Sequence, residues 1–259
     1  MTGRLSGKIA IVTGAGRGIG EATARAYAQQ GATVIVAELH RELGEGVVKS
    51  IKETGGDAVF IETDVTRQQS LDAMVDEVVR LYGTVDILVA NAGINVFHEP
   101  LETTEDEWRR CFAVDLDGVW YSAKAVLPRM RDQRRGAIVV IASCHSFSII
   151  PNCFPYPVAK HGLLGLVRAL GIQYAAEGIR VNAIAPGYIE TQIAVDYWNT
   201  FVDPAAERQK IFDLHPPKRI GRPDEVAMTA VFLGSDEAPF INAECIVIDG
   251  GRSVLYHEA

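Results

Sequence analysis

Two side chains that could carry proton chemistry, Tyr156 and Lys160, stand four residues apart. On a helix this spacing places both on one face. A phenol with an ordinary pKa of ~10 is a weak base near neutrality, and a nearby ammonium favours its phenolate form. The pair therefore indicates a general base for a substrate hydroxyl, although the same spacing also occurs by chance in surface pairs. Because Pro157 biases Tyr156 away from helical backbone, this interpretation requires a helix that begins near Tyr156.

A third polar side chain, Ser143, follows an apolar run at Ala137–Ala142 and precedes Tyr156 by thirteen residues. Its hydroxyl could donate to a substrate oxygen as negative charge develops there. Ser146 and Ser148 are nearby alternatives. We favour Ser143 because the carboxyl end of a parallel strand is where such sites form.

A glycine-rich segment, Thr13–Gly20, joins the first predicted strand directly to a helix. Glycines let the backbone turn sharply and approach a pyrophosphate, while the helix N-terminus supplies unpaired N–H groups. Glycine-rich turns also occur without a ligand. The position at the first strand-to-helix junction favours a phosphate-binding turn.

An acidic residue, Glu38, ends the second predicted strand about twenty residues beyond the glycines, where a carboxylate can accept from ribose hydroxyls. The same charge would repel a 2′-phosphate, so the sequence predicts NAD rather than NADP as cofactor. Arg17 and Arg41 could instead pair with that phosphate. We give Glu38 more weight because it stands at the hydroxyl-reading position.

The elements that must position these residues alternate regularly along the chain. Apolar runs rich in Val and Ile predict strands at Lys8–Thr13, Thr33–Ala37, Ala58–Ile61, Val85–Ala90, Ala137–Ala142, Arg180–Ile184 and Cys245–Ile248. Amphipathic stretches predict helices at Gly20–Gln30, Arg41–Thr54, Gln68–Tyr82, Thr104–Asp115, Val119–Arg134, Val158–Glu177 and Asp224–Gly234. This order predicts an α/β fold: a Rossmann-like, doubly wound parallel sheet of about seven strands with helices on both faces.

No linker or repeat interrupts the pattern, so residues 1–259 are predicted to form one domain for cofactor binding and catalysis. The segment 187–222 differs, because it contains Pro204, Pro216 and Pro217 and lacks one clear period. Long loops of this kind are usually lids or binding loops, and we expect a substrate lid here.

The glycine spacing at 14, 18 and 20 is G-x-x-x-G-x-G, and further motifs follow it in order. They are Asp64-Val65, Asn91-Ala92-Gly93, Ser143, Tyr156-x-x-x-Lys160, Pro186-Gly187, Thr191 and Asp249-Gly250-Gly251. With these motifs the chain resembles the short-chain dehydrogenase/reductase family, in its compact oxidoreductase branch, from Gly7 to Gly251.

The resemblance implies an NAD-dependent dehydrogenase in which Tyr156, Lys160 and Ser143 are catalytic. It also implies that Asp64 faces the adenine and that Asn91 holds the turn beneath the cofactor, although both could instead cap loops. The expected cofactor contacts are Gly14, Arg17, Gly18, Ile19, Gly20, Glu38, Asp64, Val65, Asn91, Ala92, Gly93, Tyr156, Lys160, Pro186, Gly187, Ile189 and Thr191.

One position departs from the family pattern. Asp115 stands where the family usually has an asparagine, which is thought to hold a water that relays protons from the lysine. An aspartate can accept from that water, which makes Asp115 a fourth candidate catalytic residue in the relay. If ionised, it also adds a negative charge near Lys160 and favours the ammonium. Alternatively, Asp115 only satisfies local backbone groups.

The substrate wall is expected to come from the loops that follow the strands. Its candidates are Asn95, Phe97, Ser143, His145, Asn152, Phe154, Tyr156, Tyr188, Gln192 and Trp198. Several can form hydrogen bonds, which suits a hydroxylated substrate, although a lone His145 is more often a structural loop residue. The stretch Tyr188–Arg222 and the ending Ile248–Ser253 resemble bacterial sugar, polyol or sugar-acid dehydrogenases, so a 2-keto-3-deoxy sugar acid is among the expected substrates. Arg208, Lys210, Lys218 and Arg219 could meet a carboxylate, although exposed basic residues are usually solvated.

Rival functions remain open. An NADPH-dependent carbonyl reductase is the nearest, and Glu38 argues against it. An epimerase or dehydratase of the same fold usually has a longer chain. A non-catalytic NAD-binding regulator would not need Ser143, Tyr156 and Lys160 together.

The formal charge of -8, from 25 Lys plus Arg and 33 Asp plus Glu, disfavours nucleic acid and anionic membranes as partners and leaves small molecules. Four cysteines without C-x-x-C pairing indicate free thiols and no metal site. Met1–Gly7 lacks a signal-peptide pattern and no apolar run approaches ~20 residues, so we expect a cytoplasmic protein. By family resemblance we expect a homo-oligomer, usually a tetramer, paired through Val119–Met130 and Leu163–Tyr174.

Overall fold

A computed structural model describes residues 3–256 of the chain. Residues 1–2 and 257–259, which the sequence prediction assigns to the same domain, lie outside the described residues. The strands are β1 (Ile9–Thr13), β2 (Thr33–Glu38), β3 (Asp57–Glu62), β4 (Ile87–Ala90), β5 (Phe97–His98), β6 (Gly136–Ile141), β7 (Phe154–Pro155), β8 (Ile179–Pro186) and β9 (Cys245–Ile248). The helices are α1 (Gly18–Gln29), α2 (Arg41–Glu53), α3 (Gln68–Tyr82), α4 (Glu105–Phe112), α5 (Gly118–Asp132), α6 (Tyr156–Tyr174), α7 (Gln192–Trp198), α8 (Pro204–Asp213) and α9 (Pro223–Gly234).

Seven of these strands form one sheet in the order β3-β2-β1-β4-β6-β8-β9, and each neighbouring pair is parallel. The predicted seven-stranded, doubly wound sheet is therefore confirmed. The strand order reverses between β1 and β4. In sheets of this kind ligands bind in the crevice at the carboxyl ends of the strands, beside such a reversal.

Apolar side chains pack on both faces of the sheet, which is why its strands are almost wholly apolar. Ile11 and Leu88 point to the layer of α3, α5 and α6, whereas their neighbours Val12 and Val89 point to the layer of α1 and α9. Leu88 is fully buried. A Leu88→Ala change would remove packed methyl groups and lower the free energy of unfolding by about 2–5 kcal/mol.

The helices α4 and α5 are joined by a wide π-type turn over Ala113–Asp117. Thr104 and Glu107 form a reciprocal capping box at the start of α4. The predicted helix Thr104–Asp115 is α-helical to Phe112, and its last residues continue as the π-type turn. Asp115 lies in the wide turn, and π-type turns occur frequently at functional sites.

The segment 187–222 contains α7 and α8, so it is not the one long loop that its prolines and its lack of a clear period predict. These helices bury few side chains, among them Trp198 on α7 and Ile211 on α8, and this explains their weak periodicity. Pro204, which resembles a breaker in the sequence, occupies the first turn of α8, where proline is tolerated.

Candidate active site

A cleft of about 960 Å³ opens at the carboxyl ends of the seven strands. The residues predicted for the cofactor, the chemistry and the substrate lie in its lining, and the structure therefore brings together positions from across the sequence. They are Gly14, Arg17, Gly18, Ile19, Gly20, Glu38, Asp64, Val65, Asn91, Ala92, Gly93, Asp115, Ser143, His145, Asn152, Tyr156, Lys160, Pro186, Gly187, Tyr188, Ile189, Thr191 and Trp198. Phe154 is the exception among the wider wall candidates, because it packs against Trp108 with ring centres 5.5 Å apart.

The glycine-rich turn has the shape of a phosphate cradle. Gly14 has a φ of +61°, and a Cβ there would lie 2.8 Å from the Cα of Ala92. The Asn91 amide donates to the carbonyl oxygens of Thr13 and Gly14 at 3.0 Å each and holds the turn in place. At the start of α1, Arg17 makes no capping hydrogen bond with its side chain, so the first-turn N–H groups are left for an anion. These features fit a pyrophosphate.

Glu38 is fixed at the end of β2 by two backbone amides. Its Oε2 accepts from Gly16 N and its Oε1 from His40 N, each at 3.0 Å. Arg41, one of the two basic residues that could oppose an NAD preference, is engaged elsewhere. Its guanidinium pairs with Glu45 at 3.1 Å and Glu62 at 2.9 Å.

Arg17, the other basic residue, is exposed and lines the cleft. Asp64 has a loop-capping role, since its Oδ1 accepts from Thr66 N at 2.9 Å and from Thr66 Oγ1 at 2.7 Å. Asp64 also lines the cleft.

Helix α6 begins at Tyr156, as the interpretation of the Tyr156/Lys160 pair requires. Pro157 occupies its first turn. Lys160 Nζ lies 5.3 Å from the centre of the Tyr156 ring, and Lys160 is buried. The two side chains thus share one face of the helix, turned toward the cleft.

Ser143 lies just beyond β6 and accepts from His145 N at 3.1 Å through its Oγ. Ser146 has a different role: its hydroxyl donates to the carbonyl oxygen of Lys160 at 2.7 Å and ties α6 to the end of β6. Ser148 is exposed at the cleft edge. Of the three serines, Ser143 thus has the position beside Tyr156.

Asp115 makes direct contact with Lys160. Its Oδ1 lies 3.2 Å from Lys160 Nζ, and its side chain is 0% exposed. The carboxylate also accepts from Ile94 N at 3.3 Å. A Cβ at Gly93 would lie 2.8 Å from Asp115 Oδ1, so glycine is needed there for the carboxylate to approach. The structure therefore contains both the contact with Lys160 and the contact with the local backbone that the two hypotheses for Asp115 consider.

Electrostatics couple these three side chains. Burial raises the pKa of Tyr156, and the Lys160 ammonium and the Ser143 hydroxyl act in the opposite direction. Burial alone would lower the pKa of Lys160, but Tyr156 and Asp115 outweigh it, and this pKa lies above its usual value. Burial likewise raises the pKa of Asp115 despite the nearby ammonium. The site can therefore hold a cation beneath a phenol and move one proton at that phenol.

On the substrate side, His145 lies next to Tyr156. The His145 ring centre is 5.7 Å from that of Tyr156 and 6.1 Å from that of Phe97. Burial lowers the pKa of His145, so its ring is neutral near pH 7. A neutral imidazole beside the phenol can contact a substrate without adding charge.

The sequence interpretation did not identify several further lining residues, namely Ile149, Ile150, Ile193, Tyr197 and His215. Ile149 and Ile150 are exposed apolar side chains in the loop after Ser143. Two adjacent isoleucines in a polar loop are a sequence pattern that could have identified them as substrate contacts. His215 follows α8 and lines the cleft because of the way that helix packs, which no local sequence pattern indicates.

The four basic residues considered for a substrate carboxylate do not line the cleft. Arg208 pairs with Glu190, Lys210 with Glu207, and Arg219 with Glu225. Lys218 donates to the carbonyl oxygen of Asp213. These partners lie in or next to the segment 187–222, and the proposed binding of a substrate carboxylate by the four basic residues is left without support.

All four cysteines are free thiols. Within residues 3–256, no group of three or more His, Cys, Asp or Glu side chains is arranged to hold a metal ion. None of the helices in this range is long and apolar enough to cross a membrane.

Comparisons with known proteins agree with this geometry. A family model described as Enoyl-(Acyl carrier protein) reductase matches residues 14–253. The chain is 38% identical to cis-4-hydroxycyclohexanecarboxylate dehydrogenase of Sinomonas cyclohexanicum, over 96% of this chain and 97% of that protein. It is 36% identical to cyclohexanol dehydrogenase of Acinetobacter sp. (strain SE19), over 96% of each.

Among solved structures, levodione reductase superimposes with a TM-score of 0.94 at 32% identity, covering 97% of this chain and 100% of the other. Family model, sequence relatives and fold agree over nearly the whole length. The protein is an oxidoreductase of the short-chain dehydrogenase/reductase family.

Proposed function

We propose that the protein oxidises a secondary alcohol to a ketone with NAD, and catalyses the reverse reduction, with Tyr156 as general base and acid. One observation carries the proposal: Ser143, Tyr156 and Lys160 meet in the same cleft as the glycine turn and Glu38. The reaction balances as a hydride transferred to NAD⁺, one proton released, and a C–O single bond converted to C=O. The nicotinamide, when bound, accepts that hydride.

The chain's own residues hold the alcohol and move its proton. The Ser143 hydroxyl donates to the substrate oxygen and fixes it beside the phenol. Tyr156 takes the hydroxyl proton as a phenolate, and the buried Lys160 ammonium stabilises that phenolate. Asp115 holds Lys160 in the charged form.

The preference for NAD rests on Glu38. Backbone amides on both sides hold its carboxylate at the cleft, where it can accept from ribose hydroxyls. A 2′-phosphate would bring negative charge beside a buried carboxylate, which is costly. Arg41 is paired with Glu45 and Glu62 and offers that phosphate little compensation.

For the substrate, the polar lining residues Asn95, Asn152 and Gln192 support a hydroxylated molecule such as a sugar or polyol. A sugar acid has less support, because the basic residues of the lid are paired with acidic side chains.

A second candidate substrate class is an alicyclic alcohol. The side chains of Ile149, Ile150 and Ile193 form an apolar part of the cleft wall that a hexose would leave unused. The names of the two relatives above, both dehydrogenases of ring alcohols, point the same way.

Assembly and location complete the proposal. We infer a homotetramer that pairs through α5 and α6. Val158 and Ile172 on α6 are exposed apolar side chains that such pairing would cover. Light scattering of the purified protein would measure this directly. The four free thiols suit a reducing compartment, the cytoplasm.

The testing experiment has two stages. Fluorescence titration with NAD and NADP measures both dissociation constants. The NAD-loaded protein is then screened for NADH formation with sugars, polyols, sugar acids and alicyclic alcohols. Faster turnover of NADPH with ketones would establish the carbonyl reductase instead, whereas tight NAD binding without turnover of any alcohol or ketone would establish a regulator.

A further inference from the structure

Two ring nitrogens beneath the lid have no hydrogen-bond partner among the described residues. They are the indole Nε1 of Trp198 on α7 and the imidazole Nε2 of His215, just after α8. Trp198 is 4% exposed and His215 is 2% exposed. Both residues line the cleft. A buried polar group without a partner costs about 1–3 kcal/mol, so each nitrogen favours a ligand that can satisfy it.

The hydrogen-bonding role of each nitrogen follows from its chemistry. An indole N–H can only donate. His215 Nδ1 lies 2.7 Å from the carbonyl oxygen of Ile211, and because that oxygen can only accept, Nδ1 carries the proton. In the neutral ring Nε2 is then an acceptor. The lid therefore offers one donor and one acceptor.

The two residues are linked through shared neighbours. Trp198 and Ile211 lie in the same group of buried side chains, and Tyr188 packs against that group. The rings of Tyr188 and His215 meet edge to face with centres 5.6 Å apart. Arg208, whose guanidinium lies 5.6 Å from the Trp198 ring centre, is neutralised by Glu190. Arg208 therefore adds no uncompensated positive charge beside Trp198.

We propose that Trp198 and His215 form a specificity subsite for a second hydroxyl group of the substrate, which accepts from Trp198 Nε1 and donates to His215 Nε2. This inference rests on the proposed function, since the first hydroxyl is the one that reacts beside Tyr156. A hydroxyl both donates and accepts, so one hydroxyl carries the acceptor and the donor that the two nitrogens lack. A carboxylate cannot donate to Nε2. Neither nitrogen is open to solvent in this conformation, so the lid must open for the second hydroxyl to reach them and then close over it.

The subsite predicts a preference that turnover can measure. Cyclohexanol is compared with cyclohexane-1,2-, 1,3- and 1,4-diol, which carry a second hydroxyl at increasing distance on the same ring. We expect kcat/KM for the best diol to exceed that for cyclohexanol about tenfold or more, beyond the roughly twofold advantage of two reactive hydroxyls. Equal values after that correction would overturn the subsite while leaving the proposed function intact.

Two substitutions test whether the preference for a diol over cyclohexanol depends on Trp198 Nε1 and His215 Nε2. Trp198→Phe removes the indole N–H, and His215→Asn keeps an N–H for the Ile211 carbonyl oxygen but lacks an atom at Nε2. Each change should reduce the diol-to-cyclohexanol ratio by about fivefold or more. Trp108→Phe, which removes an indole N–H outside the cleft, should leave the ratio unchanged. If the diol-to-cyclohexanol ratio of kcat/KM is unchanged in both Trp198→Phe and His215→Asn, the proposed subsite is wrong.

A spectroscopic measurement tests the contact without turnover. The chain has three tryptophans, and the indole N–H signal of Trp198 is identified by its loss in Trp198→Phe. Addition of the best-binding diol to the NADH-loaded protein should move this signal downfield, whereas cyclohexanol should not. Equal shifts with both alcohols, or no shift at saturation, would refute the subsite. If no alcohol is oxidised but this signal moves with the diol alone, the proposed function fails and the subsite stands.

Discussion

Lys160 Nζ and Asp115 Oδ1 lie 3.2 Å apart in a buried contact directly beneath the Tyr156 ring. The pair has opposing consequences for the phenol. The ammonium favours the phenolate, whereas the carboxylate opposes it, and both effects are strong because water is excluded. The charge state of Tyr156 therefore depends on Asp115 as well as on Lys160.

The first prediction concerns Asp115→Asn, which keeps an acceptor for Ile94 N but removes the negative charge. Because that charge raises the pKa of Tyr156, its removal should lower the apparent pKa of the alkaline rise in kcat/KM. Activity should then extend toward neutral pH. The measurement is the pH dependence of kcat/KM for both proteins with one alcohol.

Two superimposable pH profiles would contradict the relay role of Asp115. An unchanged profile with a lower Tm would identify the aspartate as a partner of the local backbone only. Asp64→Asn is the matched control, since that carboxylate caps a loop at Thr66 and should leave the profile in place.

The second prediction concerns cofactor choice. NAD should be favoured over NADP by at least about tenfold in kcat/KM, or ~1.4 kcal/mol. Glu38→Ala should reduce this preference for NAD, because it removes both the acceptor for the ribose hydroxyls and the charge that repels the 2′-phosphate. Arg41→Ala should change it little, since Arg41 is already paired with Glu45 and Glu62. Kinetics with both cofactors at fixed alcohol measure this preference, and equal use of NADP by the unaltered protein rejects the assignment.

The third prediction compares two glycines. Gly14→Ala places a Cβ 2.8 Å from Ala92 Cα at a φ of +61°, so both stability and NAD affinity should fall, the affinity by about tenfold or more. Gly46→Ala meets nothing within 4 Å in the exposed interior of α2 and should raise stability by about 0.5–1 kcal/mol. Denaturant unfolding and NAD titration measure both changes. A Gly14 variant that binds NAD normally would contradict the cradle.

Much of the fold follows from local pattern. Strands such as Ile87–Ala90 are buried on both faces and are therefore uniformly apolar, and amphipathic helices separate them. The alternation of the two element types predicts the parallel sheet. The strands Phe97–His98 and Phe154–Pro155 escape such prediction, because two residues are too few to show a period.

The site was predictable where motifs lie at strand ends, as Gly14, Glu38 and Ser143 do. Long-range contacts were not. The family resemblance placed Asp115 near Lys160, but their direct contact depends on the wide turn after α4, and the position of His215 depends on how α8 packs. No periodic pattern of the local sequence predicts either of these two positions. The pairing of Arg208 with Glu190 likewise depends on how the segment 187–222 packs.

The central claim is that Tyr156 moves the proton of a secondary alcohol during hydride transfer. Tyr156→Phe removes only the hydroxyl and retains a ring beside Phe97 and His145. Tyr82→Phe, at the end of α3 and outside the cleft, is the matched control.

The most direct measurement is NADH formation by these proteins at saturating NAD and alcohol, together with NAD affinity. We predict that Tyr156→Phe binds NAD nearly as the unaltered protein does and loses kcat by about two orders of magnitude or more. Tyr82→Phe should keep its kcat. Substantial turnover in Tyr156→Phe would contradict the account and place the proton transfer at another residue.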